Sequence, residues 1–404
     1  MKKKLIVLLL ALPVIAGAQN KPALQAGEWY GEFSAREAYI PFKFEVVHPN
    51  ALGKGAELTL INGKERVQLG TINYRGDSVF IPIQDYDTQL NAVLQGDTLK
   101  GELKRLYSDT DKGVAFKAYA SDRPRFVTAG VSPYSLDGKW DVIFKGGKAP
   151  EKNVGIFSTQ DGKLAGSILT NTGDLRFLEG VADGAGFRLS AFAGLSPYLV
   201  EGKFVDKDHF KGQFITSRGS QSIEGTRNQN ARLADPYSLT QMKAGAKTLS
   251  FRLPDLAGNM VSLSDAKYRN KVVVISILGS WCPNCLDEMS FLVPWYNANQ
   301  SRGVEVIGMA FERKSDPAYV RRTLTHLIEK HHPGYDILIG GKIGDGNKVL
   351  PEIKGIKGYP TTIFIDKKGI VRKIHTGFNG PATGLFYDEF KAEFNELIDQ
   401  LLKE

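Results

Sequence analysis

With 404 residues the chain exceeds what one hydrophobic core usually serves, so two or three domains are expected. Its composition, 42% hydrophobic and 24% charged, is ordinary for a soluble globular protein. The formal net charge of +8 is mild, and the basic residues are spread along the chain among acids, which excludes the clustered footprint of a nucleic-acid-binding protein.

In chain order, residues 1–18 come first. They carry Lys2, Lys3 and Lys4, an apolar run over 5–15, and Ala16-Gly17-Ala18, which together read as a cleaved secretory signal. The run is shorter than the roughly 20 apolar residues a membrane anchor needs, and no Cys follows it to carry a lipid. Losing the three lysines takes the net charge from +8 to +5. An exported protein built on a disulfide scaffold should carry several Cys at varied spacings. Here there are two, Cys282 and Cys285, and a bridge closing so small a loop stabilises little. A redox role is the better reading.

Residues 26–230 are short β-rich runs broken by turn signals. Examples are Lys43-Phe44-Glu45-Val46-Val47, Glu57-Leu58-Thr59-Leu60-Ile61 before Asn62-Gly63, and Asp77-Ser78-Val79-Phe80-Ile81 after Gly76. Strands at this spacing predict a barrel or a sandwich. The region reads as duplicated. Gly27-Glu28-Trp29 matches Gly138-Lys139-Trp140, Phe33 matches Phe144, and Leu99-Lys100-Gly101-Glu102-Leu103 matches Phe210-Lys211-Gly212-Gln213-Phe214, all at an offset of 111. Two β-rich units, 19–128 and 129–235, are therefore expected, with Trp29 and Trp140 plugging their cores.

After the polar connector 226–232 the pattern changes class. A short hairpin is predicted around 251–263, a buried strand over 271–278, and a helix from about Pro283. A second buried strand over 304–310, a helix over 317–330, a strand over 335–339, a hairpin over 361–374 and an amphipathic helix over 387–402 follow. This alternation predicts a mixed α/β domain over 236–404.

Strand, then Gly279-Ser280-Trp281, then Cys282-Pro283-Asn284-Cys285 places the first cysteine at a helix N-terminus, with Pro283 where a missing N–H costs nothing. Free N–H groups and the positive end of the helix dipole favour a thiolate there, so Cys282 is expected to be the nucleophile. Cys285, one turn on, is expected to resolve the mixed disulfide. Residues 249–402 resemble the thioredoxin-like domain of the TlpA and ResA type of exported thiol-disulfide oxidoreductases. The resemblance rests on Trp281-Cys282-Pro283-Asn284-Cys285 and on Gly358-Tyr359-Pro360-Thr361-Thr362-Ile363-Phe364-Ile365-Asp366 with Gly369. It implies that Pro360 follows a cis bond beside the cysteines, and that Trp281, Tyr359 and Pro360 bind substrate. It also implies a working carboxylate at Glu288, one turn beyond Cys285 and able to exchange its proton. The buried acid that classical thioredoxins carry on the preceding strand falls at Ser276, which cannot act as a base. The alternative for Glu288 is a solvated residue like its neighbour Asp287.

The resemblance further implies a periplasmic location, protein disulfides as substrates, reduction as the direction, and a membrane partner as electron donor. No cofactor is expected. Rival readings are a disulfide oxidant or isomerase, metal binding through the thiols with His326, His331, His332 or His375, and a peroxidase. Gly279 stands where peroxiredoxins have Thr, against the last of these. Nothing in 26–230 reads as catalytic. Those units are expected to dock a partner or position the redox domain.

Overall fold

A computed structural model describes residues 23–36, 38–48, 55–128, 130–147 and 149–404; the signal segment read at 1–18 lies outside the described residues. The β-rich region forms two nine-stranded antiparallel sheets in which most strands pair with their neighbours in sequence. In the second, the last strand Gly219–Arg227 pairs with the first, Gly138–Lys145, and the ladder closes into a barrel. In the first, Val114–Ala120 returns in the same way to Gly27–Ser34, but the ladder is interrupted between Glu65–Thr71 and Asn73–Arg75.

Period-two alternation directs side chains into these barrels. Along Tyr39–Val47, Ile40, Phe42, Phe44 and Val46 are buried while Lys43 and Glu45 lean outward. Trp29 stacks on Phe44 and donates its indole N–H to Gln25 O at 2.9 Å. Trp140 packs on Phe210 and donates to Leu136 O at 2.7 Å, the same four-residue reach back. Gly101 and Gly212 also match. A Cβ at either would come within 2.0 Å of a carbonyl oxygen of the adjacent strand, Asn91 or Glu201.

The two units share more than a linker. Phe192 of the second barrel lies in the core of the first, edge-on to Phe33, and its N–H and C=O are both bonded by the Asn62 side chain at 3.0 Å. Buried Arg125 donates to Pro41 O and Ser190 Oγ beside them.

The C-terminal domain has five strands: β1 (Val272–Leu278), β2 (Val304–Glu312), β3 (Asp336–Lys342), β4 (Thr361–Ile365) and β5 (Val371–Thr376), in the spatial order β3-β2-β1-β4-β5. β1, β2 and β3 are parallel, and β4 and β5 antiparallel. This order, with helices α1 (Pro283–Asn299), α2 (Pro317–His331) and α3 (Leu385–Lys403), is thioredoxin-like. Every residue of β1 is buried, as a central strand covered on both faces requires. Val272 and Val274 face the helices, whereas Val273, Ile275 and Ile277 face the hairpin made by Arg252–Pro254 and Met260–Ser262. By the same alternation Ser276 faces α1.

Candidate active site

Cys282 is the N-cap of α1, with extended backbone (φ −99°, ψ 114°), and Pro283 supplies the first helical residue. The Cys285 N–H, which also bonds Cys282 O at 3.1 Å, donates to Cys282 Sγ at 3.3 Å, so a donor of the first helical turn points at the sulfur. The Cys282 thiol in turn donates to Tyr359 O at 3.6 Å, across a cis Tyr359–Pro360 bond. Trp281 is fixed by an indole N–H bond to Phe311 O at 2.9 Å and packs edge-on to Tyr359. Both cysteines are free thiols, Cys282 5% and Cys285 2% exposed. Burial first, and the hydrogen bond with Cys282 second, push the Cys285 thiol well above the ordinary range.

Glu288 is 1% exposed, not a solvated helix residue. Its carboxylate accepts hydrogen bonds from Ser276 Oγ and Thr362 Oγ1, both at 2.5 Å. Burial pushes it up to about 7, and those two donors oppose the shift. Its charge adds to the forces disfavouring a Cys285 thiolate. The structure thus gathers Trp281, Cys282, Cys285, Tyr359 and Pro360 at the head of α1, with Glu288 one turn inside.

A model of the AhpC/TSA family matches residues 244–374. The thiol:disulfide interchange protein DsbE of Pseudomonas fluorescens biotype C is 31% identical over 166 residues, which are 41% of this chain and 84% of that protein. The chain belongs to the DsbE and ResA family of thiol-disulfide oxidoreductases. ResA of Halalkalibacterium halodurans is 28% identical over 156 residues, 39% of this chain and 77% of that protein. A thiol:disulfide interchange protein from Chlorobium tepidum TLS overlays 40% of this chain and 99% of its own at 21% identity and a TM-score of 0.31.

Around this oxidoreductase site lie two residues that the sequence left unread, Glu312 and Arg176, and one that it misread, Asp287. Glu312, at the end of β2, is fully buried and accepts bonds from the Ser280 N–H at 3.0 Å and Ser280 Oγ at 2.7 Å, holding the loop before Cys282. Its one signal is an acid closing the apolar run from Val306 to Phe311. Asp287, read as solvated, is instead ion-paired at 2.7 Å with Arg176 of the second barrel. Burial raises its carboxyl to about 6 while Arg176 pulls it down. Arg176, 111 residues away, also binds Glu65 of the first barrel.

The histidines considered as metal ligands are placed apart. His326 bonds Asp85 at 2.8 Å. His375 is buried edge-on to Tyr237 and Phe390, which pushes it down to about 4. Among the described residues no group of three or more His, Cys, Asp or Glu side chains is placed to hold a metal.

Proposed function

We propose that this oxidoreductase is an exported protein-disulfide reductase in which Cys282 is the nucleophile, Cys285 the resolving thiol and Glu288 its proton acceptor. Trp281, Tyr359 and Pro360 form the bank on which substrate lies. The Cys282 thiolate attacks one sulfur of a substrate disulfide, and the other sulfur leaves as a thiolate that takes up a proton. Glu288 accepts the proton of Cys285, which attacks Cys282 Sγ, breaks the mixed disulfide and releases the second substrate thiol. Two electrons pass to the substrate, and the enzyme is left with a Cys282–Cys285 disulfide. A membrane dithiol donor on the far side of the export step restores it.

The observation that carries this reading is the placement of Cys282 at the helix N-cap, with the Cys285 N–H aimed at its sulfur. Reduction is the direction implied by the resemblance to the TlpA and ResA type, carried by Trp281-Cys282-Pro283-Asn284-Cys285 and the Pro360 segment. Export rests on the signal-like residues 1–18. Turnover of insulin disulfides tests the roles: Cys282→Ser should abolish it, and Cys285→Ser should leave substrate held on Cys282. Turnover that survives Cys282→Ser contradicts the mechanism.

A further inference from the structure

Residues 171–173 form the turn between strands Lys163–Thr170 and Gly173–Asp174 of the second barrel, and they lie on the redox site. A Cβ added to Gly173 would sit 1.7 Å from the Asn284 amide nitrogen and 2.4 Å from its Cγ, so the barrel backbone touches the residue between the two cysteines. The Thr172 side chain fills the space where Gly358, next to Tyr359, lacks one: a Cβ there would meet Thr172 Cγ2 at 2.4 Å. Asn171 O would be 2.8 Å from a Cβ on Gly377, whose own N–H bonds Pro360 O. The turn thus spans both banks of the groove that holds Cys282 Sγ and Tyr359 O.

Polar fastenings hold it there. Asp174 accepts the Gly380 N–H at 2.7 Å, and Arg176 joins Asp287 and Glu65. On the other bank Arg313 lies 5.2 Å over the Trp281 ring, 3.7 Å over Tyr107 of the first barrel, and donates to Tyr86 O at 2.9 Å. Beneath this clasp is a cavity of about 600 Å³ lined by Asp85, Tyr86, Arg176, Asp287 and His326. Contacts made through ion pairs beside a void separate more readily than a tightly packed apolar seam.

We infer that the 171–173 turn is a specificity-determining element: it covers Cys282 against folded-protein disulfides, which react only as the turn lifts, while small disulfides enter beside it. This rests on Cys282 being the nucleophile, and the two claims fail separately. Rates of the reduced full-length protein are measured with glutathione disulfide and with insulin. Two variants release the turn: Gly173→Val, which forces it off Asn284, and Arg176→Asn, which cuts both ion pairs and tolerates the left-handed backbone at that position (φ 53°). The insulin rate relative to the glutathione disulfide rate should rise about tenfold in each. An unchanged ratio in a folded variant overturns the inference. Glutathione disulfide activity persisting in Cys282→Ser would instead overturn the assignment of the nucleophile. A measurement needing no turn variant uses Cys285→Ser, in which Cys282 is the remaining thiol. Its alkylation should slow steeply from a small maleimide to a polymer-conjugated one; equal rates also overturn the inference.

Discussion

Ser276 Oγ donates a 2.5 Å hydrogen bond to Glu288 Oε2, linking the centre of β1 to the second turn of α1 beneath the cysteines. The strand position that cannot supply a base thus supplies a donor that holds one. The carboxylate comes from the helix, and Thr362 of β4 holds its other oxygen. Strand, helix and cis-proline segment converge on one acid.

The first consequence concerns pH. Burial pushes Glu288 up to about 7, and in the proposed mechanism only its ionised form accepts the Cys285 proton. The resolving step should therefore accelerate as pH rises through about 7. Glu288→Gln should lose that rise and run roughly 10²-fold slower above it, the scale typical of a removed general base. Stopped-flow decay of the mixed disulfide across pH 5–9 checks this; a wild-type profile in the variant contradicts it.

Ser276→Ala removes one of the two donors that favour the carboxylate. With a hydrogen bond to a charged group worth about 1.5 kcal/mol, the Glu288 titration should move up by about one unit. The same pH–rate curve reports it. No displacement, or one to lower pH, would show that Ser276 does not bond the ionised form.

Stability should run opposite to activity. Folding raises Glu288 from an ordinary 4.5 to about 7, so its contribution is fully present below about 4.5 and is lost as pH rises through 7. The loss is on the order of 3 kcal/mol, from about 1.4 kcal/mol per unit. Glu288→Gln lacks this loss. Its stability relative to wild type, measured by urea unfolding, should improve by that order between pH 4 and pH 8; a pH-independent difference contradicts the buried-acid assignment.

Trp29 and Trp140 anchor separate barrels, and both are at most 1% exposed. Replacing either by Ala should cost roughly 3–5 kcal/mol through lost burial and the cavity left behind. The two costs should add nearly fully, since the residues share no ring partner. Thermal unfolding of the single and double variants checks this, and a cost below about 1 kcal/mol would remove the Trp from the core.

Legibility in the sequence followed the range of the interaction. The helix N-cap at Cys282, Pro283 behind it and the i, i+3 step from Cys285 to Glu288 are local, and each could be read from spacing. Strand existence in the barrels was legible from alternation and turn residues such as Gly63 and Gly76, and the 111-residue offset exposed the repeat. Whether those strands closed as barrels or stacked as sandwiches was not, because closure depends on Gly138–Lys145 pairing with Gly219–Arg227, some 80 residues on. Asp287 was misread for the same reason. Its partner Arg176 lies on another domain, and no local pattern marks a surface charge that meets one. Gly358 was quoted only as part of the Pro360 motif, and Gly173 and Gly377 carry no local signal, yet the missing side chains of all three make room for an interdomain contact.

The central claim is that this dithiol gives electrons to protein disulfides. Its most direct test is the midpoint potential of the Cys282–Cys285 couple, titrated against a dithiol buffer on the full-length chain. A value near that of thioredoxin, roughly −270 mV, is the predicted result; one near that of DsbA, roughly −120 mV, would make the protein an oxidant and contradict the account.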